Sequence, residues 1–263
     1  MTRYAPPRDR AVLAIAGAQA ADFLQGLISN DIRRLEKTPL LYTALLSPQG
    51  KILHAFFVSN RDGGGYWLDI PAQSTEDLMR RLRLYRLRAD VQIEDASTAM
   101  MVALGVGAPD PRAPALGQRA IITRRDLPPA RPEYDLARIA ACVPDQDADF
   151  GPEEIFPADA NMDLQNGVAF KKGCYVGQEV VSRMARRGGV RKRMALARFE
   201  GDAPAPGAAI SAGPARLGDV RSAAGNTALA LIRTDRLDKA LADGVAISAD
   251  GRPVTLSLPE PCS

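Results

Sequence analysis

Lys171-Lys172-Gly173-Cys174-Tyr175-Val176-Gly177-Gln178-Glu179 sets a cysteine among two lysines, two glycines and an acid. It leads into Val180, Val181 and Met184, whose spacing predicts a helix with one apolar side. Gln178 and Glu179 fall in the first turn, where an acid suits the positive end of the helix dipole. A thiol is a reagent or a ligand as thiolate, and cations and helix N-termini lower its pKa. Cys174 is therefore the first candidate for chemistry, with Lys171 and Lys172 to tune it. The bland alternative is a buried structural cysteine, the common fate of a free thiol. Gly173 and Gly177 allow positive φ or a close backbone approach.

Outward from this segment the chain is basic. Arg183, Arg186, Arg187, Arg191, Lys192 and Arg193 follow with no intervening acid. Such a run is either a solvated loop or a face for an anionic ligand or an acidic partner. A second basic group, Arg80, Arg81, Arg83, Arg86 and Arg88, lies on a helix whose Leu78, Leu82 and Tyr85 share a face. It is read either as a solvated face or as an anion-facing wall.

The net charge of the whole chain is only +3. That is too mild to imply nucleic acid, so any anion preference is local. The 263 residues suit two or three small domains of ordinary globular composition. Cys142, Cys174 and Cys262 form no CxxC, which argues for a reducing compartment, and the expected location is cytoplasmic. No apolar run approaches membrane-spanning length, so no membrane partner is expected. The one histidine, His54, sits inside an apolar strand pattern, where burial is the plain expectation.

Short apolar runs predict strands at 11–16, 41–46, 52–59, 66–70, 91–93, 101–106 and 121–122. Helices are predicted over 18–28, from Ser74, and over 134–143. Ser74 with Asp77 resembles a capping box. The proline-bearing stretch 107–117 reads as a surface loop. Beyond Arg193, short strands at 194–199, 208–210, 229–232, 245–247 and 254–258 alternate with Gly and Pro turns, predicting a small β-barrel or sandwich. Its boundary is expected near Gly188-Gly189.

The segment Lys172-Gly173-Cys174-Tyr175-Val176-Gly177-Gln178-Glu179 resembles the K-G-C-Y/F-x-G-Q-E signature of the YgfZ family. These are folate-binding relatives of the glycine-cleavage T-protein that include mitochondrial assembly factors for [4Fe-4S] proteins. Asn161-Met162-Asp163, Gly167-Val168-Ala169-Phe170, Phe23-Leu24-Gln25-Gly26-Leu27 with Asn30-Asp31, Ser47-Pro48-Gln49-Gly50-Lys51 and Tyr85-Arg86-Leu87-Arg88-Ala89 agree with it. The resemblance implies an α+β fold, a three-lobed ring. Residues 1–188 would form two interleaved α+β lobes, the second over about 41–95, and 189–263 a C-terminal β-barrel.

It also implies a function: maturation or repair of iron–sulfur proteins through the thiol of Cys174, a redox group or transient cluster ligand rather than part of a stable metal site. Carrier or client iron–sulfur proteins would be the partners of a monomeric chain. Tetrahydrofolate would be the cofactor, with Asn30, Arg86, Arg183, Arg191 and Arg193 as folate or anion contacts. The alternative is a tetrahydrofolate-dependent aminomethyl or one-carbon transferase. Against it, His54 and Ala55 stand where the T-protein carries its catalytic acids. Ala140, in Arg138-Ile139-Ala140-Ala141-Cys142, stands where it carries a pterin-holding glutamate. A non-enzymatic assembly factor is therefore expected.

Overall fold

The computed structural model describes residues 3–6, 8–130, 133–186 and 190–260. Its first sheet comprises β1 (Arg10–Ala16), β2 (Leu41–Leu46), β3 (Ile52–Asn60), β4 (Tyr66–Pro71) and β5 (Gln92–Asp95). The strand order is β2-β3-β4-β1-β5 and every pairing is antiparallel. β1 sits between β4 and β5, so this sheet joins Arg10–Ala16 to strands within 41–95.

Helices α1 (Ala20–Gln25) and α2 (Thr75–Arg86) cover one face of this sheet. Leu24, Leu78 and Leu82 pack there with Leu13, Ile15, Phe56 and Leu68. The capping box expected at Ser74 is not formed, because Ser74 is itself helical and its side chain makes no cap bond. Asp77 is instead taken up by Arg80, Arg81 and His54.

A hairpin of β6 (Met100–Pro109) and β7 (Gln118–Thr123), then α3 (Glu133–Ala140), follow. The stretch read as a surface loop is a correction: Asp110, Arg112, Ala113 and Leu116 within it are buried. The reason is charge pairing, since Arg112 binds both oxygens of Asp110 and needs no water.

Residues 144–177 contain no helix or strand and end at α4 (Gln178–Arg186). They still tie the molecule together. The N–H of Ile52 donates to Ile155 O, that of Met194 to Asp159 O and that of Ala169 to Ser29 O. Asn161 Nδ2 donates to the carbonyls of Cys142 and Met194.

The C-terminal strands are β8 (Lys192–Phe199), β9 (Ala209–Ala212), β10 (Ala215–Ala224), β11 (Thr227–Arg233), β12 (Ile247–Ala249) and β13 (Arg252–Ser257), with α5 (Thr234–Ala242) between β11 and β12. They close in the order β10-β11-β8-β13-β12-β9. Alternation sorts β8 and β11 cleanly. Ala195, Ala197, Ala230 and Ile232 fill the barrel, while Met194, Leu196, Leu229 and Leu231 face outward. That outward wall packs in one cluster with Tyr42, Leu46, Ile52 and Phe57 of the first sheet. Thus β2 and β3 are buried on both faces, between helices and barrel.

Candidate functional site around Cys174

Cys174 is exposed, and the residues on either side of it are pinned. Lys172 is only 6% exposed, and its ammonium donates to the carbonyls of Gln25, Ile28 and Asn30 at 2.7, 2.6 and 2.9 Å. It also lies 4.9 Å from the ring centre of Tyr175. Burial pushes its pKa down to about 8, with the nearby Asp31 charge opposing. All three N–H donors are therefore committed to the chain end that follows α1. Lys172 therefore acts as an anchor for this segment. Lys171 remains exposed.

Gly177 pins the other side. Its φ is +81°, and an added Cβ would stand 2.6 Å from Ser47 O. Gly50, at φ +82°, approaches the same place, where a Cβ would meet Val180 at 2.8 Å. The turn 47–50 and the start of α4 interlock through two glycines because no side chain fits between them. Gly173 does neither: it has no positive φ, and a Cβ there would meet nothing within 4 Å. Gln178 opens α4 and Glu179 lies exposed in its first turn. Tyr175 is buried, and burial raises its hydroxyl pKa to about 12. The motif thus holds Cys174 on a short bridge between two fixed points.

Cys142, by contrast, is buried and its thiol is pushed up to about 11 by desolvation. Cys262 and Arg187 lie outside the described residues, as does the expected boundary at Gly188-Gly189. Among the described residues no three of His, Cys, Asp and Glu gather as a metal site.

Of the five expected anion contacts, two have their polar groups taken up inside the chain. Asn30 is fully buried, and its side chain bonds Tyr42 O, Asn166 O and the N–H of Asp31. Arg193 is held by both oxygens of Asp163 at 3.0 Å. Arg86 is exposed near Val91 O, and Arg183 and Arg191 are exposed. None of the five lines the 490 Å3 cavity bounded by Arg8, Arg10, Gln73 and Gln146, or the 230 Å3 cavity beside Phe57 and Trp67. His54 is buried, with Nε2 2.9 Å from Asp77 Oδ2; burial lowers its pKa although Asp77 opposes this.

Sequence reading missed a buried run of ion pairs. Asp69 meets Arg10 and Arg119, Asp110 meets Arg119 and Arg112, and Arg138 meets Asp149 at 2.7 Å. Arg119 and Arg112 also stack over Phe57, at 3.7 and 4.8 Å from its centre. The available signal was an arginine and an aspartate two apart, Asp110 and Arg112, which carries little weight alone.

Residues 191–262 match the family described as CAF17, C-terminal beta-barrel domain. The chain is 33% identical over 215 residues to a protein of Pyricularia oryzae named iron-sulfur cluster assembly factor IBA57 homolog, mitochondrial. That match covers 71% of this chain and 55% of the relative. A Mycosarcoma maydis protein of the same name is 32% identical over 70% of this chain and 54% of its own length. The chain therefore spans about half the length of these two relatives. The human iron-sulfur cluster assembly factor IBA57, mitochondrial, is 28% identical, over 87% of this chain and 76% of its own length. The relatives carry the name IBA57 rather than YgfZ. The crystal structure of glycine cleavage system aminomethyltransferase T from Bartonella henselae superposes with a TM-score of 0.65 over 98% of this chain and 85% of its own, at 16% identity, and so speaks for the fold alone. Residues 191–262 thus form the barrel of the CAF17 C-terminal family, on a T-protein-like fold, in a chain similar to proteins named iron-sulfur cluster assembly factor IBA57.

Proposed function

We propose that this protein assists the maturation or repair of iron–sulfur proteins, mainly of the [4Fe-4S] kind, with the Cys174 thiol as its working group. The observation that carries this reading is an exposed cysteine on a bridge fixed at both ends, by Lys172 on three carbonyls and by Gly177 against the turn at 47–50. Such a thiol can meet another protein without unfolding its own support. Iron–sulfur clusters take roughly four ligands. A cluster passing this site is cargo, with Cys174 giving one sulfur and a carrier or client protein giving the rest; thiol redox on the client is the other use of the same group. The names of the relatives support the role in assembly. A reducing compartment such as the cytoplasm keeps the thiol free.

Folate has no part in this reading, because Asn30 and Arg193 already spend their polar groups inside the chain. One-carbon transfer loses ground for a related reason. The position of the expected acid is held by His54, which is buried against α2 and bonded to Asp77.

The test is a strain lacking the protein, complemented with wild type or Cys174→Ser and scored for [4Fe-4S] against [2Fe-2S] enzyme activities. The variant should fold with unchanged melting and fail to support the [4Fe-4S] enzymes. Full support from it would leave the cysteine without a role. In the purified protein Cys174 should alkylate before the buried Cys142; the reverse order would remove the basis of the proposal.

A further inference from the structure

The barrel carries a basic cleft that the reading of Cys174 does not use. Lys192, Arg216, Arg221, Arg233 and Arg236 line a 150 Å3 hollow over Leu217, Gly218 and Leu231, with Asp219 at its edge. Three of the five cations have carboxylate partners. Arg216 meets Asp219, Arg221 meets Glu154 at 2.7 Å, and Arg233 meets Asp235 at 2.7 Å. Arg236 is bonded to a carbonyl, Arg216 O, and Lys192 forms no ion pair among the described residues.

Two features of the cleft are costly as they stand. Lys192 and Arg233 lie directly opposite each other on β8 and β11. Like charges in directly opposed positions of an antiparallel pair destabilise it. Arg221 Nε is buried with no acceptor, and a buried donor left unpaired is unfavourable. In addition, α5 begins at Thr234 with no side-chain cap, which adds the positive end of a helix dipole beside the cations. An anion seated in the hollow would offset the facing charges of Lys192 and Arg233.

We propose that this cleft binds a small phosphate-bearing anion, and specifically a diphosphate group. Guanidinium forks match phosphate oxygens in pairs, and lysine adds a point charge. The hollow has room for a compact polyanion and not for a folded partner segment. The proposal stands apart from the role of Cys174.

The test uses the full chain at low ionic strength and calorimetric titration with pyrophosphate. Pyrophosphate should bind, and Lys192→Ala and Arg221→Ala should each weaken it by about tenfold or more. Titration with ATP separates the sources of the group. Binding of pyrophosphate alone assigns the site to the free anion, and binding of ATP with the same dependence on Lys192 assigns it to a nucleotide. A triglutamate peptide should bind more weakly than either. Pyrophosphate should raise the melting temperature of wild type and leave that of Lys192→Ala unchanged. No binding of either phosphate probe at millimolar concentration would overturn the proposal. So would unchanged affinity in both variants, or triglutamate binding as tightly as pyrophosphate.

Discussion

Three carbonyls converge on one ammonium at Lys172, and the bonds are short, 2.6–2.9 Å. Lys172→Met keeps the aliphatic stem and removes the donors. It leaves the three carbonyls without their partner, so a loss on the order of 3 kcal/mol is expected in urea unfolding. Asp159 presents the opposite case, a carboxyl that the fold holds uneasily. Burial raises its pKa from 3.8 to about 6, although the N–H of Phe156 and the charges of Lys192 and Arg193 pull the other way. Between those two values the folded protein binds more protons than the unfolded chain, so this group's contribution falls as pH rises from about 4 to 6. Asp159→Asn should therefore stabilise the protein at pH 7, by on the order of 2 kcal/mol, and change little near pH 4. Melting curves at the two pH values check both the sign and the window.

At the scale of elements, the interlock of two glycine turns decides where the cysteine segment sits. Gly177→Ala puts a Cβ 2.6 Å from a backbone oxygen at a positive φ and should destabilise by about 1–3 kcal/mol. Gly173→Ala, in the same motif, meets open space and should be neutral in the same thermal assay. The sequence presented these two glycines as equals, because a letter does not show which backbone crosses which. Strands written as short apolar runs, β2, β3, β8 and β11, were legible. Two elements were not. β10 has its alternation interrupted by a register shift between Val220 and Ser222, and α5 offers only Leu237 and Ala240 as buried positions. Residues 107–117 misled for a different cause: prolines and charges there suggested solvent, and the charges are internal pairs.

Across the whole molecule, Arg138 links regions far apart in the chain. It bonds Asp135 on its own helix, Asp149 in the irregular segment and Ser222 on the barrel. Arg138→Met strands the Asp149 carboxylate, which burial already raises in pKa. Removing one member of such a buried pair costs about 3–5 kcal/mol, and guanidinium unfolding should show it as a lower midpoint. The overall architecture was legible mainly through the resemblance carried by the residues around Cys174. The place of β1 between β4 and β5 was not, because a strand's partners are chosen by topology and its own letters are the same either way.

The outward wall of the barrel, Met194, Leu196, Leu229 and Leu231, has a consequence for how such a chain can be inherited. By sequence the last seventy or so residues look like a free-standing piece that recombination could carry elsewhere. By packing they are half of a joint. Transplanted alone, the barrel would arrive with a greasy flank and nothing to lay it against. Tyr42, Leu46, Ile52 and Phe57, left behind, would face water. The two parts can therefore drift in sequence only as a matched pair, each setting the shape the other has to keep.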